Sequence, residues 1–412
     1  MNSIISKGAL SGLRVLDLSR VLAGPWASQL MADLGADVVK IERPDVGDDT
    51  RAWGPPWLKD DAGQSTGESA YYLSANRNKR SMTIDLGRPE GQLLASQLAA
   101  KADILIENFK TGGLSQYGLD YATLKLHNPR LIYCSITGFG QTGPYASRAG
   151  YDFLIQGMGG LMSLTGRADG TSGEGPIKVG VALTDVMTGL YATVAVLAAL
   201  AHREKTGQGQ CIDLALLDVQ IACLANQTSN YLAGGVIPGR MGNAHPNIVP
   251  YQDFPTEDGY MIIAVGNNGQ FTQFCKVLDR SEWSADERFS SNPQRVMHRD
   301  ALISLIRDVT VTRTTAEWIA LMETAGVPCG PINSMDKVFA DPQVLARGMR
   351  IEMSHALTEK VALVANPIRM SESPVEYRRA PPTLGEHTGE VLNDWLTMSH
   401  EEVDILRMKK VV

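Results

Sequence analysis

Asp185 is the residue whose type and position could do chemistry. It lies in Gly180-Val181-Ala182-Leu183-Thr184-Asp185-Val186-Met187-Thr188-Gly189, where an extended segment turns into a helix. At a helix start the macrodipole and the unpaired backbone N–H groups favour an ionised carboxyl, which offers a nucleophile or base at neutral pH. Aspartate is also a preferred N-cap, so the same residue read alone serves as a plain helix cap. Gly138-Phe139-Gly140-Gln141-Thr142-Gly143 matches the dinucleotide pattern GxGxxG and follows a strand. Pro144 and Ala146-Ser147-Arg148 do not open a long apolar helix, however, and no acid ends a second strand about 20 residues on. The segment reads as a glycine-rich loop, and no nicotinamide cofactor is expected.

These residues need elements to position them. The run Leu190 to Ala201 is apolar nearly all round and predicts a buried helix, with His202, Arg203 and Lys205 before Gly207 at its C-terminal end. The run reads as too short and too interrupted to span a bilayer. Upstream, strand Leu13 to Leu18, helix Pro25 to Leu34 and strand Asp37 to Glu42 form a βαβ unit, which predicts a parallel sheet. The rhythm continues with strand Met82 to Leu86, helix Pro89 to Lys101, strand Asp103 to Glu107, helix Tyr121 to His127 and strand Arg130 to Ile136. After the Asp185 helix come a strand at Gln210 to Leu216 and one helix over Leu217 to Leu232. The fold class expected is α/β: a Rossmann-like, doubly wound large domain built from N- and C-terminal parts, plus a smaller α+β domain. The Gly/Pro-rich connection from Gly234 to Asn243 marks the boundary. The expected division is 1–225 for the large domain, 226–335 for the small one and 336–412 for a linker and a tail that returns to the large domain.

With 412 residues, 44% hydrophobic and 20% charged, the composition is that of a globular protein with a substantial core. A net charge of -7 and short basic blocks argue against a nucleic-acid partner and leave small molecules. The five cysteines show no CxxC or other metal-ligand spacing. They read as reduced, mostly buried thiols in a cytoplasmic setting, with no metal site. Met1 to Gly12 carries no pattern of an export signal, and no membrane partner is expected.

The ordered set Leu16-Asp17-Leu18-Ser19-Arg20-Val21-Leu22-Ala23-Gly24-Pro25, Leu34-Gly35-Ala36-Asp37-Val38-Val39-Lys40-Ile41-Glu42-Arg43-Pro44, Asn76 to Ser81, Glu107-Asn108-Phe109, Gly150-Tyr151-Asp152, the Asp185 segment and Pro382 to Thr388 resembles the class III CoA transferases, the formyl-CoA and carnitine CoA transferase family. The likeness runs along essentially the whole chain. It implies that Asp185 attacks the donor thioester, giving an aspartyl mixed anhydride and CoA thiolate. The acceptor acid is then activated through an enzyme-CoA thioester and leaves as acyl-CoA. An ionised carboxylate needs no base to become a nucleophile, and an anhydride that exchanges with carboxylates must be kept from water.

The resemblance makes coenzyme A and acyl-CoA the substrates and implies their contacts. These are Val21 and Ala23 in the first strand-to-helix turn, Arg43, then Ile84, Asp85, Leu86 and Gly87, then Asn108, Phe109 and Lys110, and finally Ala149, Tyr151 and Asp152, the last matching a family acid near the nucleophile. CoA phosphates need local cations, for which Arg43, Lys79 and Arg80 are candidates, although such residues are also common on solvated surfaces. Gly266-Asn267-Asn268-Gly269-Gln270 matches the family's glycine-rich loop, which covers the site from the partner subunit; a plain strand-to-helix turn would look the same. Trp53 matches an aromatic near the acyl pocket and could equally be core. The resemblance also implies an interlocked homodimer.

Departures narrow the substrate. Arg20 and Leu22 stand where formyl-CoA transferases place histidine and a polar residue, which disfavours formate and oxalate. Arg20, with His245-Pro246-Asn247 and Asn267-Asn268, resembles instead the branch that moves CoA from succinate to other dicarboxylates such as glutarate, hydroxymethylglutarate or malate. Gln116 replaces a basic residue and leaves one phosphate contact open. The rival on this fold is α-methylacyl-CoA racemase, which places a histidine where this chain has Tyr151; a phenol with a pKa of about 10 is a poor base at neutral pH. A non-catalytic acyl-CoA binder is the third reading.

Overall fold

The computed structural model describes residues 8–412; the amino-terminal stretch read for an export signal lies mostly outside them. The chain forms two compact units. The first comprises Met1–Leu161, Val179–Gly234 and Gln343–Val412, and the second Met162–Lys178 and Gly235–Pro342. The segment Met162–Lys178 thus belongs with the second unit although it precedes Asp185 in the chain.

The first unit is built on β1 (Arg14–Asp17), β2 (Asp37–Glu42), a small hairpin of β3 (Trp57–Lys59) and β4 (Ser65–Ser69), β5 (Lys79–Thr83), β6 (Ile104–Glu107), β7 (Ile132–Thr137) and β8 (Cys211–Ala215). Six of these form one sheet in the order β5-β2-β1-β6-β7-β8, every neighbouring pair parallel. The alternation of β-strand side chains divides the apolar residues between two faces. Val15 and Val38 join Met31, Ala192 and Val196 on one face, while Leu16 and Val39 join Met82, Leu98 and Trp395 on the other. Strand order reverses direction between β1 and β6, so the loops leaving those two strands open into a common crevice at the carboxyl edge, where α/β sheets bind ligands.

Three departures from expectation carry meaning. The strand expected at Met82 to Leu86 runs instead over Lys79–Thr83, all of it buried. Lys79 and Arg80 are therefore inside the sheet, and Ile84 to Gly87 form the loop beyond its end. The helix bearing Asp185 is one piece, Leu183–Thr206, 24 residues long, and by length and composition it could cross a membrane. It is not buried all round: Ala192, Val196 and Ala199 are in the core, while Leu190, Tyr191, Val194 and Leu197 are 38–64% exposed. The helix expected over Leu217 to Leu232 is two, Leu216–Ala222 and Ala225–Leu232, broken where Ala225 takes φ +46°.

The tail belongs to the first unit, with a hairpin of Arg350–His355 and Thr358–Val364 and helices Thr388–Leu396 and His400–Met408. It covers the exposed edge of β5, where His387 N–H donates to the Ser81 carbonyl at 2.9 Å. The second unit holds an antiparallel sheet of β9 (Tyr251–Pro255), β10 (Tyr260–Ala264) and β11 (Cys329–Pro331). Its core of Phe254, Met261, Ile263, Phe271, Phe274 and Trp318 packs that sheet against helices Asn268–Val277 and Thr315–Thr324. Of the five thiols, Cys134 and Cys275 are buried, Cys223 and Cys329 partly so, and Cys211 is exposed, fewer buried than expected.

Candidate active site

Asp185 is the third residue of its helix and does not cap it. The cap comes from Asp152, whose Oδ1 accepts the Thr184 N–H at 2.8 Å and the Asp185 N–H at 3.4 Å. Gln156 Nε2 donates to the other oxygen of Asp152 at 2.7 Å, and its Oε1 accepts the Val179 N–H at 2.9 Å, tying the segment before the helix to the same acid. Thr184 Oγ1 donates to Gln220 Oε1 at 2.6 Å. The helix start is therefore held by side chains from two other helices.

This arrangement changes the state of the Asp185 carboxyl. Asp185 is 8% exposed, and burial followed by the neighbouring charge of Asp152 pushes its pKa up to about 7. The expectation of a permanently ionised carboxylate is corrected: desolvation outweighs the macrodipole because Asp152 already holds the N–H groups of the helix start. Tyr71, which no sequence pattern singled out, feels the same two acids; burial and then Asp185 and Asp152 push its phenol up to about 12. Trp53 stands edge-on to Tyr71, ring centroids 5.2 Å apart at 81°, and is 44% exposed, so it is not core.

Asp185 lines a cavity of 150 Å³ at the crevice. Arg20, Val21, Leu22 and Ala23 enter it from the loop after β1, Asn108, Phe109 and Lys110 from the loop after β6, and Ala149 and Tyr151 from the segment after β7. A second cavity, of 180 Å³, is lined by Arg43, Ile84, Asp85, Leu86 and Gly87. Arg20 and Phe109 line both, with the guanidinium 5.7 Å from the ring centroid and paired to Asp49 at 2.9 Å. Tyr151, 65% exposed, lines the same cavity as Asp185 and offers a phenol there in place of an imidazole.

The cations sort differently from expectation. Lys79 is fully buried, 3.2 Å from Asp17, and Arg80 pairs with Asp37, Glu390 and Asp394. Neither lines either of these two cavities: β5 carries both into the sheet, where acids of the same chain neutralise their charges. Burial lowers the Lys79 ammonium to about 8 even with Asp17 beside it. Arg43 and Lys110 are exposed at the cavities, and Arg148, which sequence reading passed over as part of a polar loop, lines the first while stacking on Tyr145 at 4.5 Å. Gln116 is exposed and donates to the Gly113 carbonyl.

The remaining candidates belong to the second unit. Gly266 to Gln270 begin helix Asn268–Val277: the Asn267 side chain accepts the Gln270 N–H at 2.9 Å, and Gln270 Oε1 accepts the Gly266 N–H at 2.8 Å. Asn268 Oδ1 accepts from Arg295 Nη2 at 3.0 Å, and Gly269 lies in the first turn. The loop is thus a capped helix start. His245 precedes β9, its ring 5.3 Å from Tyr251, and burial followed by the charge of Arg299 lowers its pKa. Tyr251 pairs with Ala264, so His245 and the loop leave the same end of the three-stranded sheet.

Known proteins bear on this geometry. The pattern of CoA-transferase family III matches residues 10–388. A succinate–glutarate CoA-transferase of Agrobacterium fabrum is 51% identical over 392 residues, covering 95% of this chain and 97% of its own length. The human succinyl-CoA:glutarate CoA-transferase is 44% identical over 403 residues, covering 98% of this chain and 90% of its own. The crystal structure of a CAIB/BAIF family protein from Brucella suis superimposes with a TM-score of 0.82 at 50% identity, over 94% of this chain and 99% of that one.

Proposed function

Because the chain belongs to CoA-transferase family III, we propose that it moves CoA from succinyl-CoA to a second dicarboxylate, of which glutarate is the leading candidate. One observation carries the mechanism: the Asp185 carboxyl faces a cavity walled by the loops of the sheet's reversal point, with the Arg20 guanidinium in the same wall. CoA extends from the second cavity, where Arg43 meets phosphate, past Phe109 and Arg20 to present its thioester to Asp185. The ionised carboxylate adds to the thioester carbon, the C–S bond breaks, and the thiolate leaves a mixed anhydride. Return of the thiolate to the aspartyl carbon releases succinate and leaves an enzyme-CoA thioester. The incoming dicarboxylate repeats the two exchanges in reverse and departs as its CoA ester. Arg20 holds the distal carboxylate, the feature a dicarboxylate adds over a simple acid.

The working form in this reading is a homodimer. The apolar face of helix Leu183–Thr206 made by Leu190, Tyr191, Val194 and Leu197 supports it, since such a face is usually covered by a partner. His245 and the loop Gly266 to Gln270 of one subunit then complete the other's site, the loop closing over the anhydride against water. A cytoplasmic setting agrees with five unpaired thiols.

The test is chemical. Incubation with succinyl-CoA and hydroxylamine should place a hydroxamate on Asp185, and Asp185→Asn should abolish transfer while still binding CoA. An unmodified Asp185 peptide recovered under turnover would overturn the mechanism.

A further inference from the structure

The turn between β1 and helix Ala23–Asp33 puts a β-branched residue where glycine is the usual choice: Val21 has φ +71°. Such a conformation persists only where its surroundings impose it. Here they do, atom by atom. Asp17 Oδ1 accepts the Ser19 N–H at 2.9 Å, and Lys40 Nζ donates to the Ser19 carbonyl at 2.8 Å. Asn108 spans Arg20, accepting its N–H at 2.8 Å and donating to its carbonyl at 2.7 Å. Both carboxylate oxygens of Asp48 accept the Val21 N–H at 3.2 Å. Lys40 and Asp48 in turn pair at 2.8 Å with both side chains 0% exposed.

We propose that Lys40 and Asp48 are positioning residues that strap this turn, forcing Val21 into the left-handed region and thereby fixing where Arg20 and the wall at Leu22 stand in the two cavities. A buried ion pair contributes little net stability against well-packed apolar residues, so stability alone does not account for this one. Its location does: the pair holds the only left-handed residue in the loop after β1, and that loop is shared by both cavities. Since Asp48 takes the Val21 N–H, that group is not a donor to ligand. Lys40, fully buried, lines neither cavity and acts from behind; Asp48 also forms part of the second cavity's wall, so the Lys40 variant reports the strap free of direct contact with ligand.

The inference rests on the CoA reading for its ligand, so the test has two readouts, one free of that reading. Asp48→Asn keeps the shape and loses the charge. Val21→Gly lets the turn hold a positive φ unaided. If the strap works against Val21, losing it also releases the strain of the turn, so the melting temperature lost on Asp48→Asn should be larger by half or more in the Val21→Gly background, where there is no strain to release. The CoA dissociation constant, raised about tenfold by Asp48→Asn, should return towards that of the wild type in the double variant. Lys40→Met in both backgrounds supplies the same cycle should Asp48→Asn fail to fold. Additive melting losses would overturn the strap. Coupled melting losses in a protein that binds no CoA would uphold it and sink the functional reading instead.

Discussion

Asp152 Oδ1 accepts the Thr184 N–H at 2.8 Å, so the acid that caps the helix is also the acid that charges the neighbourhood of Asp185. The two roles cannot be separated in space, because the cap must sit at the helix start and Asp185 is the next residue on. The result is a carboxyl with a pKa of about 7, half protonated in the free enzyme at neutral pH.

The pH profile should report this. Attack needs the ionised form, so kcat/KM should rise with pH and level off above a limb near 7. Asp152→Asn removes the like charge while its side-chain oxygen still caps Thr184. Burial is the larger cause and remains, so the limb should move down by no more than about 1 pH unit. A limb that stays in place would show that Asp152 does not charge the site.

Stability should move the opposite way. An acid whose pKa is raised from 3.8 to about 7 on folding binds its proton more tightly when folded, so the native state loses stability as pH rises between those values. Asp185→Asn cannot ionise and should escape the loss. At pH 8 it should be more stable than the wild type by roughly 2–4 kcal/mol, a gain that vanishes below pH 4, measured by denaturant unfolding at both pH values.

Arg20→Gln should separate substrates. A charge-assisted hydrogen bond is worth roughly 1.5–3 kcal/mol, so kcat/KM for a dicarboxylate acceptor should fall by about 10- to 100-fold, while that for a monocarboxylate of equal length changes little. Equal losses on both would place Arg20 on the CoA and not on the acid.

Gly138→Ala tests the cavity wall. An added Cβ would lie 2.6 Å from the Gly150 Cα and 2.9 Å from its nitrogen, backbone atoms that cannot swing away. The two segments must part, at a cost of roughly 1–3 kcal/mol, seen as a melting temperature several degrees lower and weaker CoA binding.

Much of this was readable in the sequence because the first unit follows simple periodicities. The βαβ rhythm predicts the parallel sheet, and the helices expected at Pro89 to Lys101 and Tyr121 to His127 have those bounds to the residue. Two losses have one cause. Lys79-Arg80-Ser81 looks like a polar lead-in to an apolar strand, yet it is the strand itself, because Asp17, Asp37 and the tail's Glu390 and Asp394 meet its charges from far along the chain. Likewise Asp185 in isolation reads as a capping, ionised acid; that Asp152 takes the cap and burial reverses the ionisation depends on contacts 33 residues apart. Tyr71 and Arg148 carried no periodic or motif signal at all. Polar residues whose partners are distant are where local reading stops.

The Gly138 and Gly150 backbones touch directly, and two residues beyond Gly150 the chain delivers Asp152 to the head of the helix that carries Asp185. Fraying of that glycine crossing would therefore release the helix head, hydrate Asp185 and drop its proton affinity in a single event. Reactivity and local order would fail together, and a protease nicking between the two glycines should silence the enzyme before it unfolds.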